Sequence, residues 1–165
     1  MKFAKKFEVD KKEARITGLF HDIARDLKEP KIRSYAIKFG YEPDYYEKRN
    51  ILLLHGAASC YILEEENIGN DRIYSAILKH TIAEKNMNSI EKLLYIMDFA
   101  EPKRKYPESK IAYDILSKNI DRALFYVLKT TLGYLLDENS IIHPKSIKLY
   151  NSMILEGGYN GKINY

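Results

Sequence analysis

His21 and Asp22 are adjacent in GLFHDIARDL, His55 follows in ILLLHGAAS, His80 in AILKHT, and Asp98 in LLYIMDFAEPKR. Imidazole nitrogens and carboxylate oxygens in one set are donors that Fe, Mn and Zn share, so together these five side chains could hold divalent cations. The pair His21-Asp22 alone says little, because adjacent His and Asp arise often by chance. Its weight depends on whether four separate segments fold to one place.

The elements that would bring them together read as helices. The chain has no sustained apolar/polar alternation and no Asn-Gly or Asp-Gly hairpin signal. Asp10, with Glu13 three residues on, predicts a capped helix that runs through His21-Asp22. Pro30 opens a short helix ending near Gly40, and Glu42-Pro43-Asp44 is a turn. An apolar helix covers about Ile51 to Leu63. After the turn Gly69-Asn70-Asp71, a short helix leads to His80. Asn88 and Glu91 cap a helix that passes through Asp98 and stops near Pro102. A long helix is predicted over about 109 to 136, with Leu124, Val127, Leu128, Thr131, Leu132 and Leu135 on one face. Pro144 starts the last helix, Gly157-Gly158 ends it, and a loose tail runs to Tyr165.

The metal-type residues sit on the apolar faces of these helices. His80 is in line with Ile73, Ala76 and Ile77, and His55 with Ile51, Ala58 and Ile62. Asp98 lies one turn beyond Leu94, beside Ile90, Leu93 and Met97. His21 lies between Gly18 and Ala24 on its own helix. An inward histidine is usually a hydrogen-bonded core residue, and an inward aspartate usually has an arginine or a cap. Two carboxylates and three imidazoles aimed inward together would cost several kcal/mol of desolvation unless compensated. Bound cations supply that compensation.

Composition bounds the rest. A chain of 165 residues, 45% hydrophobic and 30% charged, is expected to form one domain over residues 1–165. No apolar run approaches the ~18 residues of a membrane span. MKFAKKFEVDKKEAR has no apolar core of a signal peptide. The single Cys60 cannot form an intrachain disulfide, and these features point to the cytoplasm and away from a membrane. The net charge is +4 with scattered lysines, so no basic stripe for nucleic acid emerges. A polyanionic small molecule fits that charge. Cys60 reads as inert core, and Tyr45, Tyr46 and Tyr113 read as packing residues.

GLFHDIARDL resembles the metal motif of HD domains, and His55, His80 and Asp98 follow at that superfamily's distances. The pair His80-Thr81, the segment LLYIMDFAEPKR and the stretch IIHPKS are similar to the YqeK-type group of bacterial symmetrical bis(5′-nucleosyl)-tetraphosphatases. The resemblance spans nearly the whole chain. It implies an all-α single HD-domain helical bundle that hydrolyses diadenosine tetraphosphate into two ADP. It also implies a two-metal centre, iron first, with Mn or Zn as alternatives. His21, Asp22 and Asp98 would ligate the first metal, and Asp22 would bridge to the second. His55 and His80 would serve the second metal or touch phosphate, with Thr81 beside them. Metals about 3.5–4 Å apart would then acidify a water for attack on a central phosphorus. Arg104 matches a phosphate-contacting arginine. Ile141, Ile142, His143, Pro144, Lys145 and Ser146, with Asn151 beyond, match a stretch lining the nucleotide pocket. Arg25 stands where the group usually has lysine, and reads either as a phosphate contact or as a solvated side chain.

Three departures stand out. The HD pattern carries a further ligand histidine on the first helix, shortly before a segment like MKFAKKF. This chain begins at Met1, and the expectation is a truncated or misassigned start. Met97 replaces the usual small residue before Asp98. Thr81-Ile82-Ala83 lacks the usual glycine. Two alternatives stay open. One is an HD phosphohydrolase acting on a nucleoside monophosphate or an alarmone. The other is a degenerate HD domain that binds nucleotide without turnover. A homodimer through an exposed apolar helix face is a further option.

Overall fold

The computed structural model describes residues 2–101, 104–156 and 159. Among these the chain is all-α, with no strand. The helices are α1 (Lys2–Lys6), α2 (Lys11–Phe20), α3 (Glu29–Lys38), α4 (His55–Glu65), α5 (Asp71–Leu78), α6 (Ser89–Phe99), α7 (Pro107–Leu116), α8 (Ile120–Asp137) and α9 (Pro144–Glu156), with a 3₁₀ turn Ile51–Leu54 leading into α4.

Short polar side chains set most of the starts. Asp10 accepts from the backbone N–H groups of Lys12 and Glu13 at 2.8 and 2.9 Å. Asn70 accepts from Ile73 N at 3.0 Å. Asn88 and Glu91 form a reciprocal capping box at the head of α6. The long helix expected over 109 to 136 is two helices. Asn119 re-caps the chain by accepting from Arg122 N at 2.9 Å, and residues 117–119 break the run between α7 and α8. The expected end at Gly157-Gly158, the tail beyond it and Pro102 lie outside the described residues, Tyr159 excepted.

The main core gathers Ile73, Ile77, Ile90, Ile96, Leu116, Val127 and Leu128, all nearly fully buried. A smaller core under α3 and α4 holds Ala24, Ile32, Ala36, Leu54, Ala57 and Ala58. Helix α4 lies between the two, packing on α3 and on α5. Cys60, on this helix, is fully buried, and burial pushes its thiol well above its ordinary value. That is the inert core cysteine expected from the sequence.

Glu91 ties the α5–α6 corner together. It is 2% exposed and takes hydrogen bonds from Ser75 Oγ at 2.5 Å, Lys79 Nζ at 3.0 Å and Asn88 N at 2.8 Å. Glu91→Ala should lower the unfolding free energy by about 2 kcal/mol, because these charge-assisted bonds are lost together. The urea midpoint measures it. Burial pushes the Glu91 carboxyl up, but Ser75, Lys79 and Asn88 outweigh it and hold the group below its ordinary value. A depressed folded value stabilises above the ordinary carboxylate range, and that contribution is lost as pH falls through the folded value. The stability gap between wild type and Glu91→Ala should therefore close on acidification.

Candidate metal centre

The five metal-type side chains come from helix ends. Helix α2 stops at Phe20, so His21 is its C-terminal cap and Asp22 lies in the turns that follow, not in the helix as expected. His55 is the first residue of α4. His80 stands two residues past the end of α5, where the sequence pattern carried the helix too far. Asp98 sits in the last turn of α6.

All five meet. Asp22 Oδ1 is 2.9 Å from His55 Nε2 and 3.3 Å from His80 Nε2. The two Nε2 atoms are 2.8 Å apart. Asp22 Oδ2 lies 3.8 Å from His21 Nε2, and His21 Nε2 lies 3.8 Å from Asp98 Oδ1. The carboxylate of Asp22 thus divides its oxygens between the His55/His80 pair and His21.

The protonation logic is decisive here. His55 Nδ1 faces the carbonyl of Leu52 at 2.5 Å, and His80 Nδ1 faces the carbonyl of Ile77 at 2.6 Å. A carbonyl only accepts, so both Nδ1 atoms carry the proton. In neutral rings the two Nε2 atoms are then lone-pair acceptors, directed at one another and at a carboxylate oxygen. Three acceptors converging at about hydrogen-bond distance need a proton or a cation between them. An Nδ1–H donated to a backbone carbonyl is also how metal-binding histidines are usually oriented. The donor set therefore fits divalent cations, with His21, Asp22, His55, His80 and Asp98 available to hold them.

The electrostatics agree. Burial opposes ionisation of Asp22, yet a proton shared with His55 and His80, together with Arg25, holds its carboxyl far below its ordinary value. Asp98 is also depressed, because His21 and Arg104 outweigh its burial. Burial lowers the His80 imidazole. His21 is raised, since Asp98 and Asp22 overcome burial. Each of the cluster's two carboxylates faces an arginine. Arg25 Nη1 is 2.8 Å from Asp22 Oδ2, and Arg104 Nη2 is 2.8 Å from Asp98 Oδ1.

A cleft of about 250 Å³ opens on the cluster, lined by Asp22, Arg25, His55, His80, Thr81, Tyr95, Asp98, Phe99, Arg104, Val127 and Thr131. Thr81 Oγ1 is buried and has no hydrogen-bond partner among the described residues. Tyr95 and Thr131 both line the cleft, and burial pushes the Tyr95 phenol up to about 12 although Thr131 opposes the shift. Tyr95, Phe99, Val127 and Thr131 were not anticipated as cleft residues. Tyr95 is one turn before Asp98 on the same helix, and Thr131 is the one polar residue in the apolar stripe of α8, so both signals were present. Met97 is half-buried against the core rather than in the cleft.

The 141–146 stretch does not line this cleft. His143 Nε2 bonds Asp44 Oδ2 at 2.7 Å, and its ring meets that of Tyr46 edge-on. Ser146 Oγ donates to Ala83 O at 3.2 Å, and Lys145 Nζ pairs with Glu84 at 3.1 Å. Ser146 and Lys145 thus brace the loop that follows Thr81, and His143 joins the segment around Asp44. Ile141 and Asn151 are exposed, while Ile142 and Pro144 are half-buried.

The model of one family, HD domain, matches residues 1–124. The chain is 27% identical over 153 residues to the symmetrical bis(5′-nucleosyl)-tetraphosphatase of Halalkalibacterium halodurans, covering 93% of this chain and 82% of that one. It is 25% identical over 155 residues to the enzyme of the same name from Bacillus subtilis, covering 93% and 83%. Among solved structures, a protein from Clostridium acetobutylicum described as a predicted HD superfamily hydrolase involved in NAD metabolism superposes with a TM-score of 0.85 at 31% identity, over 93% of this chain and 82% of that one. With the motif, the fold and the converging donors in agreement, the chain belongs to the HD domain family.

Proposed function

We propose that residues 1–165 act as one HD-type phosphohydrolase unit that cleaves diadenosine tetraphosphate symmetrically into two ADP. The observation that carries this reading is the convergence of His55 Nε2, His80 Nε2 and Asp22 Oδ1 within 3.3 Å, an arrangement of acceptors built for cations. The relatives named for that reaction, which this chain matches over most of their length, support the substrate. A pair of cations, iron by preference and Mn or Zn as alternatives, would supply an acidified water and offset charge on the phosphoryl oxygens.

The chain's own residues do the remaining work. Asp22 spans the cluster with its two oxygens, and His21 and Asp98 complete one side of it. Arg104 and Arg25 are cations at the cleft mouth, each held by a carboxylate of the cluster. They offer charge-assisted bonds to a polyphosphate. Thr81 offers its unpaired hydroxyl. Tyr95, Phe99 and Val127 wall the cleft and limit water there. The nucleoside end would run along the loop after Thr81, toward the part braced by Lys145 and Ser146.

Arg104→Ala should lower kcat/KM for diadenosine tetraphosphate roughly tenfold, the effect of one charge-assisted hydrogen bond. Arg104→Lys should recover part of the loss. Steady-state kinetics on both variants checks this. The reading as a whole is tested by a panel of diadenosine tetraphosphate, nucleoside monophosphates and a guanosine alarmone, assayed with Fe or Mn. The dinucleotide should be turned over with the highest kcat/KM. Preference for a monophosphate or the alarmone would transfer the site to another HD chemistry.

A further inference from the structure

Helix α4 carries Ser59 one turn beyond His55, and Ser59 is fully buried. Its hydroxyl donates to the carbonyl of His21 at 2.9 Å and accepts from the backbone N–H of Ala24 at 3.2 Å. Those two backbone groups would meet directly in an ordinary tight turn. Here they do not. Neighbouring i→i+3 bonds are present, Ile23 N to Phe20 O at 3.1 Å and Arg25 N to Asp22 O at 2.9 Å. The step between them is taken by the Ser59 oxygen, inserted into the turn as a side chain sometimes is inserted into a helix ladder. The residues spanned by that insertion are Asp22 and Ile23.

We propose that Ser59 is a positioning residue for the metal centre: its hydroxyl props open the His21–Ala24 turn and so aims the His21 and Asp22 side chains at the cluster. The geometry explains why one helix does both jobs. His55 points to the cluster from the start of α4, and Ser59, one turn later, holds the backbone of the segment that supplies the facing ligands. With the hydroxyl removed, His21 O and Ala24 N lose the only hydrogen-bond partners given to them among the described residues. Ala24 is fully buried, so water cannot readily replace the lost bond. The turn's remedy is to close until the two groups meet, which rotates Asp22 away from His55 and His80. Ser59 touches the backbone of His21 but none of the metal-binding side-chain atoms, and it acts through the turn.

This inference rests on the reading of the cluster as a cation site, and the test separates the two. The full chain, stripped of metal, is titrated with Mn²⁺ while free Mn²⁺ is followed by electron paramagnetic resonance. In parallel, imidazole ¹⁵N shifts are recorded on the metal-free chain. Ser59→Ala should bind Mn²⁺ roughly 10–100-fold more weakly, the usual consequence of losing a group that orients a ligand. The His21, His55 and His80 ring signals should move even before metal is added. Ser59→Thr keeps the hydroxyl and should restore both readouts to near wild type. A Ser59→Ala chain that is merely less stable, with unchanged ring signals and unchanged Mn²⁺ affinity, would overturn the proposal. If wild type itself takes up no Mn²⁺, the cation reading fails, and the ring signals alone decide whether Ser59 sets the turn. A Ser59→Thr chain no better than Ser59→Ala would also count against it, since the hydroxyl would then not be the operative group.

Discussion

Asp22→Asn should empty the centre of cations and lower turnover by more than about 100-fold, because the loss of even an outer partner of a metal ligand costs 10–100-fold. Asp22 is the one residue that touches every other part of the cluster except Asp98. Oδ1 faces His55 and His80, and Oδ2 faces His21 and Arg25. The amide keeps the shape and removes the charge. It also supplies an N–H donor that can meet the free lone pair of His55 or His80. The metal-free variant should therefore melt no lower than metal-free wild type. Added Mn²⁺ should raise the melting temperature of wild type and leave that of Asp22→Asn unchanged. Metal analysis, thermal melts and initial rates on the same samples check the three parts. Loss of activity accompanied by a lower melt of the metal-free chain would instead make Asp22 a folding residue.

Gly56→Ala should damage stability and activity together. A Cβ at Gly56 would fall 2.7 Å from the carbonyl oxygen of Ile77 and 3.5 Å from the His80 ring. The first distance is a clash with backbone, which cannot swing aside as a side-chain tip can. The same carbonyl accepts the His80 Nδ1 proton at 2.6 Å. Pushing it therefore costs packing energy, about 1–3 kcal/mol for a strained insertion. It also loosens the group that fixes the His80 tautomer, worth roughly 10–100-fold in metal affinity or activity. Gly133→Ala is the control. A Cβ there meets nothing within 4 Å, and the change should stabilise α8 by about 0.5–1 kcal/mol through helix propensity. Urea unfolding and kcat/KM on both variants distinguish the site effect from a general effect of replacing glycine.

The parts of this architecture that were legible in sequence are those governed by local rules. Asp10 and Asn88 announce helix starts because a short side-chain acceptor satisfies orphan N–H groups wherever it stands. The apolar stripes gave the inward direction of His55, His80 and Asp98, and the cluster follows from those directions. Other features depended on what lies far away in the chain. The sequence pattern extended α2 through His21-Asp22, because nothing local forbids it. Beyond Phe20 the backbone bonds shorten to i→i+3, and the carbonyl of His21 is taken by a hydroxyl 38 residues on, at Ser59. The apolar run from 109 to 136 hid its break, because one face stays apolar on both sides of Asn119. Asn119 carries a short side-chain acceptor of the same kind and caps α8. By its spacing Thr131 belongs to the apolar stripe of the long helix, and that spacing does not mark it as a cleft residue. The packing of α6 on α8 puts it in the wall of the cleft that Tyr95 also lines. In the IIHPKS stretch, which the motif points to as a nucleotide-lining segment, His143 bonds Asp44 and Ser146 bonds Ala83, long-range contacts that no local pattern announces.

The most direct measurement is the product profile from diadenosine tetraphosphate, quenched early, with the chain loaded with Fe or Mn and then stripped by chelator. The central claim is that the His/Asp cluster holds cations that drive symmetrical cleavage. It predicts ADP as the sole product from the loaded chain, none above background from the stripped chain, and none from loaded Asp22→Asn. ATP with AMP from the loaded chain, or ADP released equally well after stripping, would contradict it.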